Sequence, residues 1–243
     1  MRDLWDLLAV PGNSVLQIGP GSGHLLAAAR RAGCSVTAVE PSKPQRDFIR
    51  DVWSMDAVYP SMEEIPAGRT FDTIVAVNVF QHVYDIGATL RTVRQLLAPG
   101  GTSYLSMPNA NSVEAAVLRT WWSMCKVNDH VSFPSKAGLA TAALESGLRV
   151  GRIWSTELPL EFPLSALTGA RDRILVRHPV GGRPAASAAA RARENGGTNP
   201  AGVGGGRKAA LNNLYSVASL FDPGYRVLGA IGRAGSLQAT LHR

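Results

Sequence analysis

The sequence predicts an α/β fold built on a parallel sheet. Short apolar runs alternate with helix-periodic stretches, the pattern of strands joined by crossover helices. The first apolar run also breaks into a glycine-rich loop that opens a helix, as it does where a ligand sits at the carboxyl edge of such a sheet. The 243 residues, 45% of them apolar, are enough to bury one sizeable core. No internal repeat is present.

The elements follow in order. Residues 2–10 form an amphipathic entry helix with Leu4, Trp5, Leu7 and Leu8 on its apolar side, closed by Pro11-Gly12. Residues 15–18 are the first strand, and residues 23–32 a helix that Gly33 stops. Residues 34–40 are the second strand. Ser42 is placed to cap a helix over 43–52, where Pro44 is tolerated in the first turn. Residues 55–59 read as a short strand followed by a turn over 60–64. Residues 71–77, FDTIVAV, are a buried strand. A helix over 86–98 is closed by Pro99-Gly-Gly101, and a strand over 102–107 follows. A helix over 135–146 ends at Gly147, and strands at 148–156 and 236–242 complete the pattern.

The first loop is the most informative stretch. VLQIGPGSGH, residues 15–24, places glycines at 19, 21 and 23. Side chains there would block a close ligand or forbid the turn. Glu40 ends the second strand, 17 residues past Gly23. An acid at that place accepts two hydrogen bonds from a ribose diol. The dinucleotide fingerprint is G-x-G-x-x-G, so that a pyrophosphate meets the helix N-terminus. Here the order is G-x-G-x-G, with His24 where the third glycine of that fingerprint would stand. That suits a nucleoside whose middle is a sulfonium with an amino-acid tail.

Taken with the segments 36–40, 61–64, 71–83 and 96–106, this loop resembles, in order and spacing, the motifs of the class I S-adenosylmethionine-dependent methyltransferases. Met107-Pro-Asn109, DHVSFP at 129–134 and LESGL at 144–148 resemble the branch acting on quinones, sugars and natural products. The resemblance covers residues 1–156. It implies a doubly wound, seven-stranded, mostly parallel sheet with a long insertion before the last strand. It also implies S-adenosyl-L-methionine as cofactor. Gly19, Gly21 and Gly23 would lie against its methionine part, Glu40 would hold the ribose, and Ser61, Met62 and Glu63 would flank the adenine. Asn78 would stand beside the transferring methyl. The chain departs from the family in having Gln17 where an acid is usual and Ser61 where an aspartate is common. Gln17 offers the cofactor's ammonium no full negative charge.

Methyl transfer asks for alignment of nucleophile, methyl and sulfur, and for a hydroxyl acceptor it asks for a base. His130, on the loop after the fifth strand, is the candidate base, with Asp129 to orient it. His82, in Gln81-His-Val-Tyr-Asp85, is the second catalytic candidate. A packing role is the competing reading for both, and packing is the reading for His24. A metal site is not predicted. Asp85, Asn109 and Asp129 have no loop spacing for a divalent cation, and Cys34 and Cys125 have no paired zinc ligands. The segment after the fourth strand, NVFQ at 78–81, lacks the prolines of an amine-binding loop, which favours oxygen or carbon acceptors. A hydroxyl of a saccharide, glycolipid or natural product is the narrow expectation. A quinone- or lipid-type C-methyltransferase, a nucleic-acid methyltransferase, a cofactor-binding protein without transfer and a nucleotide-linked oxidoreductase stand as alternatives.

The chain divides into a cofactor-binding core at 1–156, an acceptor-side insertion at 157–235 and the last strand at 236–243. Within the insertion, residues 177–208 are rich in Gly, Ala, Arg and Pro and read as a mobile basic loop. Residues 209–221 have helical period. Arg171, Arg173, Arg177, Arg183, Arg191, Arg193, Arg207 and Lys208 face only Asp172 and Glu194, which accounts for most of the formal +7. The basic stretch lacks interleaved aromatics for stacking bases, so a small-molecule acceptor is favoured over nucleic acid. No membrane span is expected, and two cysteines without a signal peptide fit a reducing cytoplasm. Oligomeric state is not legible. If 177–208 is merely mobile, replacing it by a short Gly/Ser linker leaves cofactor affinity and melting temperature nearly unchanged. A large loss of thermal stability in that variant refutes the reading.

Overall fold

The computed structural model describes residues 2–126, 129–156 and 235–243. The chain enters through α1 (Arg2–Leu8), β1 (Ser14–Ile18), α2 (His24–Arg31) and β2 (Ser35–Val39). It continues through α3 (Lys43–Trp53), β3 (Val58–Tyr59), β4 (Phe71–Val77), α4 (Ile86–Leu96) and β5 (Leu97–Pro108). Then come α5 (Val113–Leu118), α6 (Lys136–Glu145), β6 (Arg149–Thr156) and β7 (Ser236–His242). The seven strands form one sheet in the order β3-β2-β1-β4-β5-β7-β6. The first five pair in parallel, and β7 lies antiparallel between β5 and β6.

Strand periodicity sorts the core into two faces. Leu16, Ile18, Ile74 and Ala76 point one way and pack with Leu90 and Val93 of α4 and with Leu139 and Ala143 of α6. Val15 and Val75 point the other way, toward Leu4 and Leu8 of α1. Covered on both faces, β1 and β4 are buried nearly throughout, as parallel strands in this architecture are. Ala38 and Val58 of the outer strands pack under Leu26, Ala27 and Ile49 of the next two helices.

The doubly wound, mostly parallel seven-stranded sheet expected from the sequence is present, with several local differences. Helix α4 stops at Leu96 rather than Ala98, because Ala98 precedes Pro99 and is pushed toward extended backbone. Leu97 pairs with Phe71, and the register then slips so that Thr102 faces Thr73. Gly101 sits at this irregularity. A Cβ there would lie 2.9 Å from the Ala98 carbonyl oxygen and 3.0 Å from that of Phe71. Only Val58 and Tyr59 of the expected third strand pair. Ser42 precedes α3 without a side-chain cap bond. The expected insertion, its basic loop at 177–208 and the helix expected at 209–221 lie outside the described residues.

Asp72 ties the starts of β1 and β4 together. The Ser14 N–H and hydroxyl donate to its Oδ2 at 2.9 and 2.7 Å, and the Asp72 N–H donates to the Ser14 hydroxyl oxygen at 3.0 Å. The Ser14 backbone and then its hydroxyl hold the Asp72 carboxyl below the usual aspartate range. A depressed folded value stabilises above the unfolded one and is lost as pH falls through the folded one. Because Asp72 is exposed and water screens its carboxylate, Asp72→Asn is expected to cost no more than about 1 kcal/mol at neutral pH, or roughly 2–4 °C in Tm. Below the folded value the variant and the parent should melt together. Equal melting at neutral pH would show that the tie contributes nothing.

Candidate active site

The carboxyl ends of β1, β2 and β4 deliver the residues singled out as cofactor ligands. Gly19, Gly21 and Gly23 all have positive φ, at 64°, 54° and 77°. A Cβ on Gly19 would stand 2.6 Å from Val79 Cγ2, so that position admits only glycine. At Gly21 a Cβ would meet nothing within 4 Å, which leaves backbone facing open space. Gly23 caps α2 without a side chain, so the helix's first N–H groups stay available for a ligand. His24 packs edge-on against Trp53 at 5.3 Å, as its packing role anticipated.

Glu40 is buried at 8% exposure. Its Oε1 accepts from the Ser42 N–H at 2.9 Å, which orients the carboxylate and leaves Oε2 for a ligand. Gln17 is also buried, and its Oε1 has no hydrogen-bond partner. An orphaned buried acceptor is costly. An ammonium-bearing ligand would satisfy it, so the residue fits the amino-acid end of S-adenosylmethionine despite lacking the usual charge. In the 3₁₀ turn Met62–Glu64, Glu63 accepts from its own backbone N–H and from the Ser61 hydroxyl, which hold its carboxyl below the usual range. Met62 packs against the core. Ser61 and Glu63 thus engage each other, and Met62 supplies the apolar surface.

Asn78 ends β4 in the left-handed region at φ 55°, where its N–H donates to the Ser106 carbonyl at 2.8 Å. Left-handed backbone on a residue other than glycine concentrates at functional sites. Asn78 opens onto a cavity of about 550 Å³. Gln81, His82, Ser106, Glu114, Lys126, Asp129 and His130 share its lining. Gln81 is 3% exposed, and its Oε1 also has no partner.

The two candidate catalytic histidines meet in this cavity, with ring centroids 4.9 Å apart. His130 is buried. Its Nδ1 lies 2.8 Å from the Met124 carbonyl oxygen and donates to it, which leaves the Nε2 lone pair unprotonated. That Nε2 is 3.8 Å from Asp129 Oδ2. Burial lowers the His130 pKa below the usual imidazole value, against the opposing Met124 hydrogen bond. His82 Nδ1 is 2.8 Å from the Asp129 carbonyl oxygen and 3.2 Å from its Oδ1. Three backbone-directed bonds fasten the His130 loop to the 3₁₀ turn Phe80–His82. The Val131 and Ser132 N–H groups donate to the Gln81 carbonyl, and the Ser132 hydroxyl donates to that of Val83.

Sequence reasoning named both histidines and Asp129 but not their convergence. It also missed Gln81, Glu114 and Lys126. Glu114 lies in the first turn of α5, whose start is marked by Ser112 accepting from the Ala115 N–H. A Ser before a run of helix formers is a start signal that would have exposed this helix.

A family model described as a methyltransferase domain matches residues 1–152. A ubiquinone biosynthesis O-methyltransferase of Xanthomonas campestris is 33% identical over 110 residues, 42% of this chain and 46% of that one. Another of that name, from Methylobacterium nodulans, is 27% identical over 74% of this chain and 78% of its own. The match thus spans less than half the length of the Xanthomonas relative. An S-adenosylmethionine-dependent methyltransferase structure from Mesorhizobium loti superposes with a TM-score of 0.59 at 14% identity, covering 100% of this chain and 96% of that one. That likeness is one of fold.

Glu40→Ala should weaken S-adenosylhomocysteine by roughly 1.5–3 kcal/mol, about tenfold to a hundredfold in Kd. Calorimetry reads it directly, and unchanged affinity would remove Glu40 from the site.

Proposed function

The chain belongs to the S-adenosylmethionine-dependent class I methyltransferases, and from that premise we propose that it methylates a hydroxyl oxygen of a polar small molecule, with His130 as the general base. The observation that carries the reading is the His130 tautomer. With Nδ1–H given to Met124, Nε2 is an acceptor on the wall of the cavity that Asn78 opens onto. A hydroxyl placed there can give up its proton as the methyl arrives.

When bound, S-adenosylmethionine supplies an electrophilic methyl group on a sulfonium. The chain's own residues hold and orient. The glycine loop admits the methionine end and Gln17 accepts from its ammonium, while Glu40 takes the ribose hydroxyls and Met62 covers the adenine. His130 Nε2 receives the acceptor's proton. Asp129, 3.8 Å away, stabilises the imidazolium that results.

Among the described lining residues, Pro108 and Met124 are the only apolar side chains. That polarity favours a polyhydroxylated acceptor such as a saccharide or a glycosylated natural product. The relatives' name supports a second reading, a phenolic or quinol-type acceptor in the manner of a ubiquinone-biosynthesis enzyme. Transfer of labelled methyl to a panel of glycosides, phenols and quinols separates the two.

On the acceptor so found, His130→Ala should lower turnover by about 10²–10⁴, the usual worth of a positioned base. S-adenosylhomocysteine affinity should stay unchanged, because the residue serves the acceptor. Near-normal turnover in a folded variant would make His130 a packing residue and end this assignment.

A further inference from the structure

His82, Asp129 and His130 each present one ligand-type atom, and these atoms lie within 4.8 Å of one another. We infer that the three side chains bind a single transition-metal ion of the zinc type, and that the ion switches the transferase off. The inhibitory half rests on His130 being the base, since the ion would occupy the same Nε2 lone pair. The binding half stands without it.

The spacing suits a small ion. Ligand bonds of about 2.0–2.2 Å in a tetrahedral site put neighbouring donor atoms roughly 3.3–3.6 Å apart. His82 Nδ1 and Asp129 Oδ1 are 3.2 Å apart, and His130 Nε2 and Asp129 Oδ2 are 3.8 Å apart. The remaining approach is within a side-chain rotation, because Asp129 is 59% exposed and His82 40%.

Two further features prepare the site. His130 already gives its Nδ1–H to the Met124 carbonyl at 2.8 Å. Metal-binding histidines characteristically make this kind of bond through the other ring nitrogen, which fixes tautomer and ring orientation. In addition, the bonds to the Gln81 and Val83 carbonyls hold the His130 loop against the turn that carries His82. The ligands therefore come from two segments already fastened together. His82 must present an unprotonated Nδ1 to the ion and give up the contact with the Asp129 carbonyl. The cavity leaves room for water or an acceptor oxygen as a fourth ligand.

The donor set selects the ion. Two imidazole nitrogens and one carboxylate suit zinc, cobalt or nickel, whereas magnesium and calcium seek all-oxygen shells. Lys126 lines the same cavity and opposes a cation, but it is exposed, so water screens its charge.

The test uses the full chain without cofactor or acceptor. Zinc is titrated at constant neutral pH against a chromophoric chelator, and cobalt(II) is followed by its visible absorption. One equivalent should bind, millimolar magnesium should not compete, and His82→Gln and Asp129→Asn should each weaken zinc at least about tenfold. Both altered residues are exposed, and circular dichroism checks that the variants fold. No saturable binding, or zinc affinity in both variants equal to the parent's, overturns the site. In the methyltransfer assay, zinc should inhibit reversibly, with the inhibitory concentration raised in His82→Gln by the factor that binding is weakened. Zinc that binds without inhibiting overturns the switch. Retained turnover in His130→Ala would overturn the base assignment while leaving the binding result intact.

Discussion

The arrangement of the site depends on the parallel pairing of β1 between β2 and β4. Gln17 stands opposite Ala38 on one side and Val75 on the other. Because the three strands run the same way, all three end at one edge of the sheet. The glycine loop, Glu40 and Asn78 are then neighbours, although Asn78 stands 59 positions after Gly19. Each strand end carries a different task. The first presents bare backbone, the second an oriented carboxylate, and the third a left-handed asparagine that lines the cavity shared by His82 and His130. A one-residue slip in register would move Leu16 and Ile18 to the face now held by Val15. Burial on both faces is therefore what places the chemistry.

The histidine side of the cavity is built differently. No strand end delivers His130. It is held by bonds from its loop to backbone carbonyls at 81 and 83, and by the Met124 carbonyl on its ring. The turn after β4 thus serves as a template for a loop almost fifty residues later in the chain. Pro108 at the end of β5 and Ser236 at the start of β7 pair across the sheet and line the same cavity. A segment far along the sequence closes the wall that the first half begins.

What was legible in the sequence follows from what is local. Alternating apolar runs, glycines with positive φ and an acid at a strand end are encoded over a few residues, and those elements match closely. The end of α4 was misjudged because Pro99 acts one residue upstream of itself, and a twelve-residue strand with a bulge does not look like one strand. Helix α5 was missed because it is short. The meeting of His82 with Asp129 and His130 depends on hydrogen bonds across 47 residues. No spacing rule reports such a contact. The orphaned oxygens of Gln17 and Gln81 are likewise invisible without burial, since an amide in a sequence is usually a solvated one.

The neutral amides have a consequence for the chemistry. A cationic donor loses its charge as the methyl leaves, so a fixed carboxylate beside it would hold the ground state more tightly than the transition state. Catalysis gains only from interactions that strengthen on the way to the transition state. Asn78 and Gln81 at the end of β4 offer hydrogen bonding without that penalty. Asp129, on the loop fastened to this turn, stands against the histidines. On the proposed mechanism positive charge would develop there as His130 takes the proton, and Asp129 stands where it would favour that charge. The arrangement proposed to aid proton transfer also gathers two imidazoles around one carboxylate, which is the chemistry a transition-metal ion seeks.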